Sequence, residues 1–317
     1  MAAKIKSCTV EDWHALDECI GYPKIVLIDS ERALVSTWLS RCFVLNLNSR
    51  SSHAESEARP SDLKLPIGNC LVSPSVSVTL PHICAVATRS TWASVWPLGG
   101  SESTTIRPET CASVNTVSIR PAGDRVALGI GYYPLDPNGE SKAFVELWSM
   151  EDQPQCLAAR RLPGVAVDRL VWDAAGETLL VATGARSQDR GHVAMLDAAS
   201  LTIMDIAATE AVFCDALHFD AIANRVFVCT RHCLEMRRAD DLGTIERSWN
   251  LDDEVHGAAF STDEAFLTSG LRLDLWSTDR RQLPKLPDCT GVALLPDGTG
   301  VGVSRSGDVR IWRENNQ

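Results

Sequence analysis

The chain has 317 residues, 45% of them apolar, and a formal charge of −11 at neutral pH. The acidic balance disfavours general binding to nucleic acid, whose phosphates need a basic footprint, and no run approaches the ~18 apolar residues of a membrane span. Residues 1–6 lack the apolar stretch of a secretory signal, so the eleven cysteines, an odd number, read as reduced core thiols of a cytoplasmic protein.

One pattern recurs along the chain. Residues 5–10 read as a short strand with no partner nearby in sequence. Val26-Leu27-Ile28 then precedes Leu34-Val35 across Asp29 and Ser30, and Cys70-Leu71-Val72-Ser73-Pro74 precedes Ile83-Cys84-Ala85-Val86. The clearest copy has Val117-Ser118-Ile119 and Val126-Ala127-Leu128 on either side of Pro121-Ala122-Gly123-Asp124. Leu170-Val171-Trp172 and Leu179-Leu180-Val181 flank Ala174-Ala175-Gly176 in the same way. Leu217-His218-Phe219 precedes Val226-Phe227-Val228, Ala259-Phe260 precedes Phe266-Leu267, and Val292-Ala293-Leu294-Leu295 precedes Val301 across Pro296-Asp297-Gly298. Each copy is an apolar strand, a turn and a second apolar strand. The turn residues preset φ or tolerate positive φ.

A third strand follows each pair. Four copies end on tryptophan: Ala93-Ser94-Val95-Trp96, Val145-Glu146-Leu147-Trp148, Leu273-Asp274-Leu275-Trp276 and Val309-Arg310-Ile311-Trp312. Cys42-Phe43-Val44-Leu45-Asn46, Val193-Ala194-Met195-Leu196-Asp197 and Leu234-Glu235-Met236-Arg237 occupy the same place in the others. The last large apolar residue before each turn acts as a ruler: Ile28, Val72, Ile119, Trp172, Phe219, Phe260 and Leu295. Successive gaps run from 35 residues (Phe260 to Leu295) to 53 (Ile119 to Trp172). A four-stranded propeller blade takes about 40–45 residues.

The reading is therefore all-β, a single seven-bladed β-propeller of four-stranded antiparallel blades over 1–317. The blades fall at about 20–66, 67–112, 113–162, 163–209, 210–253, 254–287 and 288–317, with 1–19 as closing strand and lead-in. The last unit is too short for a fourth strand after Trp312. Residues 5–10 are expected to supply it, which removes an open sheet edge. Residues 49–64 are polar and aperiodic and read as an exposed loop between the third and fourth strands of the first blade.

On these repeats the chain resembles the WD40-repeat family of seven-bladed propellers over nearly its full length. It departs from the family pattern at the signature dipeptides. Pro97, Ser149, Ser277 and Arg313 follow the four tryptophans where the family has aspartate, and no Gly-His opens a blade. The side-chain hydrogen-bond network of the family is expected to be missing from most blades. A propeller of the same blade number outside that family fits the repeat equally.

No catalytic or cofactor motif is present: there is no phosphate-binding Gly-rich loop ending in Lys, no His-Glu-x-x-His and no Gly-x-Ser-x-Gly. Cys214, His218, Cys229, His232 and Cys233 are ligand types that zinc takes, but their spacing matches no zinc family. They read as core thiols with a surface histidine, and no metal is assigned. The turns between second and third strands hold Arg41, Arg89, Arg186 with Arg190, Arg231, Arg272 and Arg305, all on one rim. The third blade has a long turn there carrying Tyr132 and Tyr133. Arginine suits bidentate contact with carboxylate or phosphate, and tyrosine beside it is typical of interface anchors. The entry to the innermost strands carries Lys24, Asn115, Asp168, Asp215 and His256, which would ring the channel mouth.

Two functions follow. The first is a non-catalytic scaffold or adaptor that offers one rim to a protein or peptide, acidic or phosphorylated, with no nucleic acid, membrane or cofactor. The second is a propeller hydrolase or lactonase with a cation at the channel mouth, held by Asn115, Asp168, Asp215 and His256. The resemblance to WD40 proteins favours the first.

Overall fold

The computed structural model describes residues 8–14, 23–36, 42–49, 51–54, 75–79, 82–86, 91–97, 104–110, 113–131, 143–151, 153–185, 189–251, 255, 257–260, 266–269, 273–276, 281–283, 286–295 and 297–314. Every regular element among them is a strand, and 28 strands form seven four-stranded antiparallel sheets. One contains β2 (Lys24–Leu27), β3 (Arg32–Ser36), β4 (Cys42–Asn46) and β5 (Ser51–Ala54). The next contains β6 (Ser75–Thr79), β7 (His82–Val86), β8 (Ala93–Pro97) and β9 (Thr104–Ile106). It is followed by β10 (Val114–Ile119), β11 (Arg125–Ile130), β12 (Ala143–Ser149) and β13 (Cys156–Leu162). Then come β14 (Ala166–Trp172), β15 (Thr178–Gly184), β16 (His192–Asp197) and β17 (Ile203–Ala208). After these stand β18 (Ala216–Asp220), β19 (Arg225–Cys229), β20 (Cys233–Arg238) and β21 (Ile245–Asn250), then β22 (Gly257–Phe260), β23 (Phe266–Ser269), β24 (Leu273–Trp276) and β25 (Arg281–Leu283). The last sheet joins the two ends of the chain: β26 (Cys289–Leu294), β27 (Gly300–Ser304) and β28 (Asp308–Glu314), with β1 (Cys8–His14) outside β28.

The first strand of each sheet packs on the first strand of the next. The series runs β2, β6, β10, β14, β18, β22, β26 and back to β2. The sheets thus stand around a ring, and the architecture is an all-β propeller. Turn chemistry sets the hairpins. Gly123, Gly176 and Gly298 have φ of 75°, 69° and 83° in the first turns of their sheets, a region that costs a side chain with Cβ strain. Asn224 takes the same region at φ 55°, and Asp220 Oδ1 accepts the amides of Ile222 and Ala223 at 3.1 and 3.0 Å to shape that turn.

The core lies between sheets. Val145 and Leu147 of β12 pack with Leu170, Trp172, Leu179 and Leu196 of the following sheet, all buried. Each such side chain contributes roughly 1.5–3 kcal/mol of burial. Trp172 also donates its Nε1 hydrogen to Ser118 O at 3.1 Å, tying β14 to β10. Arg120 Nε bonds Gly176 O at 2.8 Å, joining the adjacent turns.

Three expectations shift. The closing strand pairs with β28 over Cys8–His14, from Cys8↔Glu314 to His14↔Asp308, rather than over residues 5–10. Within the expected loop 49–64, Ser51–Ala54 forms the fourth strand of its sheet against β4. In the second sheet the first strand is Ser75–Thr79 and not the stretch ending at Val72. Its small Ser-Val alternation is a weaker apolar signal than Cys70-Leu71-Val72, which lies outside the described residues.

Candidate interaction rim and channel mouth

The turns between second and third strands and the connections between sheets share one rim, because each first strand starts where the second strand ends. On that rim the connection 209–215 lies between two arginine-bearing turns. It is pinned on both sides. Thr209 N bonds Gly191 O at 2.9 Å, Gly191 N bonds Ala211 O at 3.0 Å, and Ala185 N bonds Val212 O at 2.9 Å. On the other side Cys214 N donates to Asp168 Oδ2 at 3.0 Å, and Asp215 N to Cys229 O at 2.8 Å. The pinned backbone presents Phe213, which is 37% exposed.

Arg231 Cζ sits 5.8 Å from the centroid of the Phe213 ring. Exposed cation–π contacts of this kind contribute about 0.5–1 kcal/mol, enough to orient both groups. Arg190 stands on the neighbouring turn with its side chain 66% exposed, and its Nη1 is 3.9 Å from Glu210 Oε1. Exposed pairs at that distance contribute little. Arg305 is half-buried on its own turn, its amide bonded to Asp288 O at 3.3 Å. Arg41, Arg89, Tyr132, Tyr133, Arg186 and Arg272 lie outside the described residues. The structure therefore places Arg231 over Phe213 and Arg190 near Glu210 at the start of the same connection; Phe213 is a residue that sequence reasoning missed because it sits in an aperiodic connection.

At the channel mouth, Asn115 and Asp168 are the extra residues of β-bulges, between Val114 and Thr116 and between Val167 and Arg169. A bulge re-aims the side chain it carries. Here the side chains become ties. Asp168 is buried and accepts the Cys214 amide, while Asn115 Nδ2 donates to Gly131 O at 3.3 Å. Arg169, the neighbour of Asp168, donates from Nε to Asp215 O at 2.8 Å and from Nη1 to Asp168 O at 2.6 Å. His256 lies outside the described residues. Among the described residues no three His, Cys, Asp or Glu side chains gather to hold a metal ion.

Lys24 carries the most informative charge. Burial first, then the Arg169 guanidinium, push its ammonium down from 10.5 to about 8, while Asp215 pulls the other way. The folded state holds this proton less tightly than the unfolded chain. The penalty is therefore fully present below pH 8 and disappears as pH rises to 10.5. We expect the wild type to gain unfolding free energy across that window and Lys24→Met to lose the gain, read from urea melts at pH 7.5 and 10.

The cysteine cluster separates into individual contacts. Cys214 Sγ bonds Ala216 O at 3.1 Å, Cys229 Sγ bonds Thr230 O at 3.6 Å, and Cys233 Sγ meets Ser248 Oγ at 3.7 Å. Burial raises all three thiols, which disfavours the thiolate form that metals take. His218 stacks on Phe260 with ring centroids 5.3 Å apart, and burial lowers its pKa. His232 is exposed.

A further pattern lies within the third strands. Glu146 is fully buried. Its carboxylate accepts the amides of Glu109 and Thr110 at 3.2 and 3.0 Å and the Trp148 Nε1 hydrogen at 3.0 Å. In β20 the same spacing places buried Glu235 two residues before Arg237, whose Nε donates to Glu235 Oε2 at 2.8 Å. Arginine thus stands where other sheets have tryptophan. The aligned Val145-Glu146-Leu147-Trp148 and Leu234-Glu235-Met236-Arg237 carried this signal.

The seven sheets define a β-propeller, and among the described residues its rim carries Arg190, Arg231, Arg305 and the exposed ring of Phe213. No family model and no curated protein matches the sequence. Among solved structures the chain is similar to the β-propeller domain of Cps50 (Swd1) from Myceliophteria thermophila, with a TM-score of 0.69 at 13% identity, covering 92% of this chain and 96% of that one. At that identity the likeness shows the fold alone.

Proposed function

We propose that this chain is a non-catalytic interaction module of the WD40 type, with all seven sheets as blades of one ring. The partner is a protein or peptide with acidic or phosphorylated side chains, which docks on the rim of Arg190 and Arg231. The observation that carries this is the pinned connection 209–215, which presents Phe213 under Arg231 and carries Glu210 3.9 Å from Arg190. A rigid aromatic anchor under a guanidinium group is what an interface centre needs, and arginine favours planar oxyanions. The fold likeness to the Cps50 (Swd1) propeller domain is consistent with a platform. Fold alone does not set function, and the rim residues carry the argument.

The test is affinity capture from native extract, with the wild type beside Arg89→Glu/Arg186→Glu/Arg231→Glu and beside Phe213→Ala. We expect the charge-reversal variant to lose the partner and Phe213→Ala to weaken capture at least tenfold, with circular dichroism unchanged. A partner retained by both variants overturns the rim assignment.

A further inference from the structure

The outer strand of the last sheet, β1, is held there by contact alone. In the other six sheets the outer strand follows, after one short connection, the strand it pairs with. β1 instead pairs with a strand from the other end of the chain, and Asp12 and Arg310 stand 298 positions apart. All seven of its ladder pairs are with β28. The strand also lies at the surface: Val10 is 37% exposed and the Asp12 side chain 50%. Its departure breaks one ladder and leaves β28, β27 and β26 paired as before.

The seat selects by charge. β1 reads Cys-Thr-Val-Glu-Asp-Trp-His, with two carboxylates and no lysine or arginine. β28 carries Arg310 and Arg313 between Asp308 and Glu314 at its ends. Arg310 stands opposite Asp12 and donates to its carboxylate from Nε and Nη2, the second at 2.6 Å, while Arg313 lies 3.4 Å from Glu11. A bidentate arginine fixes geometry as well as charge. An emptied β28 edge is therefore a template for an acidic strand in one register. The β1 of a second copy offers the same residues, the same register and the same ion pairs. Residues 15–23 join β1 to β2, and nine residues reach about 30 Å when extended, which lets a released β1 find a neighbouring molecule. Exchange of an identical element is a low-cost route to a dimer, because no new contact has to be built.

We propose that β1 is exchanged between copies of this chain, each β1 completing the last sheet of the other in a reciprocal pair. Closed single chains and exchanged pairs then contain the same seven sheets, and protein concentration sets their ratio. An exchanged pair carries two rims in one particle. That it holds a multivalent partner more tightly rests on the rim reading above; the exchange itself does not.

The double variant Asp12→Arg/Arg310→Asp tests this, because its seat stays complementary within its own chain. Wild type and double variant are each prepared with either of two affinity tags, mixed in pairs at high concentration, incubated, and captured by one tag. Wild type is expected to capture wild type, and double variant to capture double variant, each as a discrete dimer by size-exclusion chromatography. Capture between wild type and double variant is expected to fall about tenfold, since the exchanged seats would set arginine against arginine and aspartate against aspartate. A synthetic peptide of residues 8–14 needs no variant to fold. In excess it is expected to suppress exchange between wild-type copies, and the same peptide carrying Asp12→Arg is not. No capture between wild-type copies, equal capture in the mixed pair, or capture undiminished by the wild-type peptide would each overturn the proposal.

Discussion

Glu235→Ala is expected to lower the unfolding free energy by about 3–5 kcal/mol, the range seen when one partner of a buried ion pair is removed. The side chains of Glu235 and Arg237 are 1% and 3% exposed, and their closest approach is 2.6 Å. Arg237 also donates from Nη1 to Leu242 O at 2.6 Å and from Nη2 to Ala208 O at 2.9 Å. It therefore fastens β20 to its own outer turn and to the end of β17. Without Glu235 the buried guanidinium keeps two carbonyls and loses its only carboxylate among the described residues. The double variant Glu235→Leu/Arg237→Met removes both charges and should cost less than Glu235→Ala alone. Equilibrium urea unfolding of the three proteins reads the difference directly. The comparison with Trp148 and Glu146 explains why the pair persists, since both carboxylates serve the large side chain two residues on.

Deleting residues 1–14 should abolish a single cooperative unfolding transition. β1 forms seven residue pairs with β28. At about 1 kcal/mol for each ladder hydrogen bond, the loss is a large share of the 5–15 kcal/mol that stabilises a typical domain. The strand is also fastened by charge. Arg310 Nε and Nη2 both reach the Asp12 carboxylate, the second at 2.6 Å, and Arg313 lies 3.4 Å from Glu11. The deletion leaves β28 as a bare edge, which invites association between copies. Asp12→Arg should show a milder form of the same defect, and Asp12→Arg/Arg310→Asp should restore most of it. Thermal melts with size-exclusion chromatography distinguish the three outcomes.

Legibility in the sequence followed the strength of local signals. The hairpins at Pro121-Ala122-Gly123 and Pro296-Asp297-Gly298 were readable because positive φ at the glycine is a local demand met by a local residue. The first strand Ser75–Thr79 was not, because an adjacent, more apolar run in the sequence outweighs a Ser-Val alternation. Arg190, Arg231 and Arg305 were readable as turn residues. The seat of Arg231 over Phe213 was not, because the connection 209–215 is shaped by main-chain bonds to Gly191, Ala185 and Cys229 rather than by a periodic pattern. Asp168 illustrates the same limit. Polarity at a strand entry marked it as a channel residue, yet its partner is an amide 46 positions away. Arg169, one position on, escaped notice because a single arginine in an apolar strand carries no periodic signal.

The most direct test of the interaction rim is hydrogen exchange of the free and partner-bound protein, read by mass spectrometry. The account predicts new protection in 189–191, 209–215 and 230–232, the segments around Arg190, Phe213 and Arg231. Protection confined to the outer strands β13, β17 and β21, where Leu157, Met204 and Ile245 are exposed, would contradict it and move the interface to the circumference of the ring.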